Sequence, residues 1–552
     1  MDQDLAALRG HTIDSDLAAL QDVRECLARA KKAGERLARF TQAEIDRVVR
    51  AMCMAGSREA ERLAKIAVEE SGFGIVESKV LKNRVATDLL WKDIRNVQTA
   101  GILRRDPKAG VIEIAAPMGT VAAVIPVTNP TSTALFKCII SLKARNPVVC
   151  SPHPRAVRAV AEACRVVGEA AVRAGAPEHS VQCLTNVTLE ATQHLMSHRL
   201  TGVILATGGP DLVRAAYSSG KPALGVGAGN APAIIDRTAD LRLASRMLVS
   251  SQTFDNGTIC SSEQSIVCLV EVKDQLLSEL RRLRCHLCTA EETKKLEKLV
   301  LRGRRQNPDI VGQAAAKIAE MAGFAVPQET TVLVAEYSGV GFDHPLSIEK
   351  LSPILAFYTV RDIDEAAELA GRLLRFGGDG HTFAIHTKDE EIVLRLTELL
   401  PASRVIVNGP TSQGGVGFAT HLIPSLTLGC GTLGGNISTN NISPRDLINV
   451  KRVAWVIPEM AREEFDPHRY FREMQAEVYG TGGAPETLQP GPVRPYLHER
   501  VERRQAGEGG GTPASDGGRP LGTGSFVPAS VQPLSPQEVE AIVARALQGG
   551  KI

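Results

Sequence analysis

The chain has 552 residues, 43% of them hydrophobic and 4% aromatic, with a formal net charge of +2. That length exceeds one ordinary domain, and that apolar content suits large buried cores. Scattered, mixed-sign charge with few aromatic residues gives no reason to expect a nucleic-acid partner, and no apolar run reaches the roughly 18 residues of a membrane span. The opening MDQDLAALRG lacks the basic-then-apolar layout of a secretory signal. Cysteines number 11 and are dispersed, which fits reduced thiols in a cytosolic setting better than a disulfide framework. Cys285 and Cys288 form a lone CxxC without a second pair, read as solvent-side helix or loop residues rather than a metal site.

Residues 14 to about 100 read as helical, because Leu20, Val23, Leu27 and Ala30 recur at helical spacing among charged residues. A short extended segment at 111–115 leads to VAAVIPV at 121–127, a continuous apolar run suited to a strand buried on both faces of a parallel sheet. A helix at 133–143, a strand at 147–150, a helix at 157–174 and strands at 180–184 and 202–206 follow. Strands alternating with helices predict right-handed βαβ units and a doubly wound α/β domain. A second α/β region runs from about 251 to 430, with strands expected at 264–270, 354–359, 383–386 and 404–407.

Residues 501–530 are rich in glycine and proline and poor in apolar residues, the composition of a flexible linker. The chain then reads LSPQEVEAIVARALQGG. Ser535 and Glu538 suit a capping box, Pro536 suits the first helical position, and Val539, Ile542, Val543, Ala546 and Leu547 make one apolar stripe. A tethered helix this short is marginal alone in water, so the stripe needs a partner: its own globular body or another protein.

Three segments carry candidate chemistry. ATGGPDLVRAA, residues 206–216, follows a strand and opens a helix; Gly208 and Gly209 permit a close backbone approach by a cofactor, or simply a tight turn. In ALGVGAGNAP, residues 223–232, Gly225, Gly227 and Gly229 either clear a surface beside a ligand or turn the chain into a strand. IPVTNPTS, residues 125–132, sets Asn129 at the C-terminal end of a parallel strand, where its amide could stabilise an oxyanion or shape the turn before Pro130. Downstream, FDNGTICSSEQ at 254–264 sets Cys260 among small and polar residues, as a structural thiol or a nucleophile.

Together with EESGFGIVESKVLKN (69–83), EKLSPIL (349–355), GHTFAIH (380–386) and PSLTLGCGTLGGN (424–436), these segments resemble the aldehyde dehydrogenase superfamily over most of residues 15–455. More narrowly they resemble its CoA-acylating members, including the N-terminal half of bifunctional aldehyde–alcohol dehydrogenases. The resemblance implies a Rossmann-type cofactor domain at 1–250, a catalytic α/β domain at 251–430, and a small oligomerisation element. That element would be built from a strand near 110–117 and the return at 431–480, making a homodimer or homotetramer. A flexible linker at 481–533 and a C-terminal helix at 534–552 complete the expected layout.

The same resemblance assigns roles. Cys260 falls on the nucleophile, and Asn129 with the Cys260 N–H on the oxyanion hole. Thr207, Gly208 and Gly209 fall where the family meets the nicotinamide end of NAD, Glu349 on the glutamate that holds its ribose, and Leu351 beside the ring. Ser151 and His153, in SPHP, fall where many hydrolytic relatives carry a lysine and a glutamate for the adenine ribose, so the acidic discriminator against NADP is absent. Gly225 falls where hydrolytic relatives carry a general-base glutamate. Glycine cannot activate water, so the implied acceptor of the acyl group is coenzyme A. His381 recurs in similar acylating enzymes and is read as a core residue or as one that positions CoA or substrate; Cys430 is read as a packing residue. The implied substrate is a small aldehyde, propionaldehyde first and acetaldehyde second, with succinate semialdehyde or sulfoacetaldehyde as anionic alternatives. The tail resembles an encapsulation peptide, which implies a bacterial cytoplasmic enzyme held inside a microcompartment through a shell or cargo protein. A non-catalytic interaction protein that kept the fold is the alternative of another class.

Overall fold

The computed structural model describes residues 15–462 and 464–480. These fall into two units. The larger holds 15–105 and 112–452, and the smaller holds 106–111 and the described residues from 453 onward. The expected linker and the C-terminal helix at 534–552 lie outside the described residues.

Residues 15–94 are largely helical, as their periodicity predicts. Ser15–Leu37 and Gln42–Arg58 are the first two helices, the second opened by a Thr41–Glu44 capping box. After Val76–Arg84 the helix widens into a π-turn at Val85–Leu89. The helical region ends before residue 100, as expected; a strand not expected, β1 at Gly101–Asp106, precedes β2 at Val111–Pro117.

Five parallel strands follow: β3 (Thr120–Val124), β4 (Val148–Ser151), β5 (Val181–Cys183), β6 (Thr201–Thr207) and β7 (Ala223–Val226). Their order is β5-β4-β3-β6-β7, so the winding reverses between β3 and β6. Ligands bind at such a switch point, outside the carboxyl ends of the strands. Val121 and Ala123 pack with Val148, Cys150, Val203 and Leu205 into one core, while Ala122 and Val124 pack with Val149, Ile204 and Ala206 into the core of the opposite face. This period-two division is why the run is apolar throughout. Pro130–Lys143 is buried along its whole length, because it passes beneath the sheet.

The second sheet also has only parallel pairs. Its strands are β8 (Ala231–Ile235), β9 (Glu263–Leu269), β10 (His286–Cys288), β13 (Leu333–Glu336), β14 (Ile354–Val360), β15 (Gly380–His386) and β16 (Ala402–Val407), in order β10-β13-β14-β9-β8-β15-β16. A two-stranded hairpin of β11 (Leu301–Arg302) and β12 (Arg305–Gln306) stands apart. Because β8 pairs with β9 and β15, the chain leaves the first sheet at 227–230, not near 250 as the domain reading supposed. Cys285 and Cys288 also differ from their reading. Cys285 is buried and Cys288 lies in the edge strand β10, short elements whose few apolar residues give little periodicity.

The strand β17 (Ile448–Ala454) completes a three-stranded sheet in the order β1-β2-β17, with β2 at the strand expected near 110–117 and β17 within the return expected at 431–480. In the smaller unit the Trp455 amide donates to Gly110, and a helix runs from Pro467 to Tyr479. Among the described residues no helix is long and apolar enough to cross a membrane.

Candidate active site

Cys260 sits in the turn between the helix Leu241–Thr253 and the fully buried β9. The approach to it is strained: Asp255 (φ 52°, ψ 36°) and Asn256 (φ 51°, ψ 41°) both adopt left-handed conformations. Such a residue costs about 1–3 kcal/mol and persists only when its surroundings hold it. Here the Asp255 carboxylate accepts from the Ile75 amide at 2.8 Å, the Lys79 ammonium at 2.9 Å, the Thr258 hydroxyl at 2.7 Å and the Lys82 ammonium. Asn256 donates to the Gly312 carbonyl at 2.9 Å. Charge-assisted bonds of this kind contribute ~1.5–3 kcal/mol each, enough to offset the strain.

Lys79 and Lys82 are three residues apart, so they share one face of the helix Val76–Arg84. Both are buried. Lys79 also donates to the Thr128 carbonyl at 2.9 Å, and Lys82 to the Asn129 side-chain oxygen at 2.6 Å and to Thr258 at 3.1 Å. The Asn129 amide nitrogen donates in turn to the Thr258 carbonyl at 3.0 Å and the Thr128 hydroxyl at 3.1 Å. Asn129, beyond β3 and at the N-terminal cap of Pro130–Lys143, is thus bonded to a residue two positions before Cys260. Burial opposes ionisation of Asp255, but the Lys82 and Lys79 charges outweigh it and hold its carboxyl below the ordinary range. Burial draws the Lys82 ammonium down to about 8, even with Asp255 beside it.

A second group closes on Cys260 from the other sheet. Gly229 is pressed against it: a Cβ built there would stand 1.9 Å from the Cys260 carbonyl oxygen and 3.2 Å from His381 Cγ. The Gly229 amide donates to Glu349 Oε1 at 2.9 Å. Glu349 and Cys260 are both half-buried. Burial raises the Glu349 carboxyl to about 8, against the Gly229 hydrogen bond and the Lys350 charge. Burial likewise pushes the Cys260 thiol up to about 12; Glu349 and Cys430 add to the rise and Arg404 opposes it. His381 is kept neutral by burial and by Arg404, with Nδ1 on Thr382 at 3.0 Å and Nε2 unpartnered. Leu351 adopts φ 47°, and its carbonyl accepts from Gly312 at 3.0 Å.

At the ends of β6 and β7, Thr207 reaches Thr427 at 3.5 Å and the Gly208 amide bonds the Val226 carbonyl at 3.4 Å. Gly209 is the N-terminal cap of the helix Pro210–Ser218. Gly225 lies within β7 opposite Ala206; its amide donates to the Tyr217 hydroxyl at 3.1 Å, and a Cβ there would meet Val213 at 2.7 Å and Tyr217 at 3.0 Å. Ser151 and His153 stand at the end of β4 and make their hydrogen bonds elsewhere than the thiol group, Ser151 with Thr192 at 2.9 Å and His153 Nδ1 with the Arg155 amide at 3.1 Å.

Sequence reasoning named Cys260, Asn129, Glu349 and the glycines but gave Lys79, Lys82, Asp255 and Arg404 no role. Two lysines at helical i, i+3 spacing and a DNG left-handed turn were the available signals. Neither says that the two elements meet.

The aldehyde dehydrogenase family model matches residues 10–294. The bifunctional aldehyde–alcohol dehydrogenase of Escherichia coli (strain K12) is 43% identical over 449 residues, 80% of this chain and 50% of that protein. The chain therefore spans about half the length of the first curated relatives it matches. Among solved structures, an acetylating aldehyde dehydrogenase from Geobacillus thermoglucosidasius is 49% identical with a TM-score of 0.80, covering 82% of this chain and 100% of that one. A propionaldehyde dehydrogenase from the Clostridium phytofermentans fucose utilisation bacterial microcompartment is 28% identical with a TM-score of 0.72, covering 78% of this chain and 97% of that one.

Proposed function

The chain belongs to the aldehyde dehydrogenase family, and from that premise we propose that it is a CoA-acylating enzyme, converting a short uncharged aldehyde and coenzyme A to an acyl-CoA. The observation that carries this reading is Gly225. No carboxylate can act from that position, and a side chain there would run into Val213 and Tyr217. The carboxylate that faces Cys260 is that of Glu349, and one of its oxygens is held by the Gly229 amide. Water thus lacks a dedicated base, while a thiolate attacks a thioester without one.

The residues fit a nicotinamide dinucleotide. A Cβ built at Gly209 or Gly227 meets nothing within 4 Å, so the backbone faces open space at the ends of β6 and β7, beside the switch point of the sheet. Thr207, Gly208 and Gly209 would line its nicotinamide end, Glu349 would hold a ribose, Leu351 would lie near the ring, and Ser151 and His153 would lie toward the adenosine. When bound, this cofactor accepts a hydride; NAD is the proposed form.

Cys260 attacks the aldehyde carbon as a thiolate, forming a thiohemiacetal whose oxyanion is held by the Asn129 amide and the Cys260 N–H. To bond the oxyanion, the Asn129 amide would exchange its 3.1 Å hydrogen bond to the Thr128 hydroxyl for one to the substrate. Loss of hydride leaves an acyl thioester on Cys260. The CoA thiolate then attacks the acyl carbon, and the Cys260 thiolate leaves.

Four of the five Arg404 donors are engaged by Thr382, Gly429, Thr439 and Asn441, so this cation near the thiol is committed to the fold rather than to a substrate anion. That supports an uncharged aldehyde over succinate semialdehyde or sulfoacetaldehyde. The 49% identity to an acetylating enzyme, against 28% to a propionaldehyde enzyme, moves acetaldehyde ahead of propionaldehyde. A homodimer or homotetramer built through β1, β2 and β17, and enclosure in a microcompartment through residues 534–552, complete the proposal. The test is to mix protein, acetaldehyde and NAD without CoA, quench, and weigh the peptide that contains Cys260. An acetyl adduct on Cys260 is expected; an unmodified peptide accompanied by free acetate would refute the reading.

A further inference from the structure

We propose that Lys82 is a positioning residue for the oxyanion site. It turns the Asn129 side chain so that the NH2 end, not the carbonyl end, faces the thiol loop. This rests on the reading of Asn129 as the oxyanion donor. The two ends of an asparagine amide have nearly the same shape, so only their partners decide which way the group faces. An ammonium carries donors alone. Lys82 Nζ lies 2.6 Å from Asn129 Oδ1, so that end must be the oxygen. At the other end the Thr258 carbonyl, which can only accept, lies 3.0 Å from Nδ2. The amide is clamped from both ends. An ammonium against Oδ1 also draws electron density from the amide and strengthens its N–H as a donor.

The lysine is itself immobilised. Its three hydrogens are directed at Asn129, Asp255 and Thr258, and the ammonium stands 5.6 Å from the centre of the Phe254 ring. Asn83 fixes the helix in register, donating to the Ala60 carbonyl at 2.9 Å and accepting from the Thr131 hydroxyl at 2.9 Å. The π-turn at Val85–Leu89 follows directly; such turns recur at functional sites.

Charge balance alone does not require Lys82. Lys79 already sits 2.9 Å from Asp255 and offers it one cation. A second buried ammonium adds a desolvation penalty that one carboxylate does not offset. Lys79 meets the Thr128 carbonyl, whereas Lys82 meets the one side chain whose orientation matters to the reaction.

A double-mutant cycle on the full chain tests this, reading the rate of NADH formation with saturating CoA. Asn129→Ala should lower kcat by about 10²–10³-fold. Lys82→Met should lower kcat at least about tenfold with little change in the KM for aldehyde, since the amide then loses its fixed orientation. In the Asn129→Ala background, Lys82→Met should cost no more than about twofold further. Equal losses in both backgrounds would overturn the proposal, as would a rise in KM with kcat unchanged. A negligible effect of Asn129→Ala would instead remove the oxyanion reading beneath it. Lys82→Gln, which keeps a donor for Asn129 Oδ1 without the charge, is the second variant should Lys82→Met not fold; it should retain more kcat than Lys82→Met, or, alone, lose less than Asn129→Ala, and show the same non-additivity.

Discussion

Replacing Gly229 with alanine tests how tightly the thiol loop is built. The added Cβ would lie 1.9 Å from the Cys260 carbonyl oxygen and 3.0 Å from its carbonyl carbon. An unstrained carbon–oxygen contact is about 3.3 Å or longer, so the two must separate by roughly 1.4 Å. His381 stands 3.2 Å away and Glu349 grips the Gly229 amide, so the movement falls largely on the Cys260 backbone. A misplacement of about 1 Å at a reacting group costs about 10²-fold in rate, and overpacking typically destabilises by about 1–3 kcal/mol. Gly229→Ala should therefore lose about 10²-fold in the single-turnover rate of NADH formation while thermal unfolding stays cooperative. A rate within about threefold of wild type in a folded protein would refute the reasoning, because the loop would then have given way without disturbing the thiol.

Asp255→Asn leaves Lys79 and Lys82 buried without their carboxylate, and should cost about 3–5 kcal/mol, read as a lowered unfolding midpoint in urea. The Asp255 carboxyl is depressed in the folded protein. The stability it contributes should be present above its unfolded value of about 4 and be lost as pH falls through its folded value, an acid destabilisation that the Asn variant lacks. Burial raises the Glu349 carboxyl to about 8, and its charge opposes formation of the Cys260 thiolate. Alkylation of Cys260 by iodoacetamide should proceed alike in wild type and Glu349→Gln below that pH, with the variant faster above it; identical profiles throughout would contradict the coupling. Deleting residues 531–552 should leave kcat and KM within about twofold and abolish co-purification with microcompartment shell proteins; retained co-purification would count against the tail as the address.

The sheets were legible where their strands are buried on both faces. Residues 121–124 and 266–269 are apolar because alternate residues enter different cores, and each lies in a strand where one was expected. Two short strands were not: His286–Cys288 and Leu333–Glu336 have three and four residues, too few to show a period, and the partner of the first lies 47 residues on. The boundary near 250 was misjudged because Ala231–Ile235 reads like any βα-unit strand, and only its pairing with β9 and β15 assigns it to the second sheet. Cys260, Asn129 and Glu349 could be singled out because each stands in a distinctive segment. The lysine–aspartate group that joins two of those segments could not, since Lys82 and Asp255 are 173 residues apart and each looks ordinary in its own neighbourhood.

The central claim is that the acyl group on Cys260 leaves to coenzyme A because no base at Gly225 prepares water. The most direct measurement follows NADH at 340 nm with acetaldehyde and NAD, with and without CoA, and identifies the products by mass. Sustained turnover only when CoA is present, with acetyl-CoA formed in step with NADH, is the predicted result. Sustained turnover without CoA, yielding acetate at a comparable rate, would contradict it.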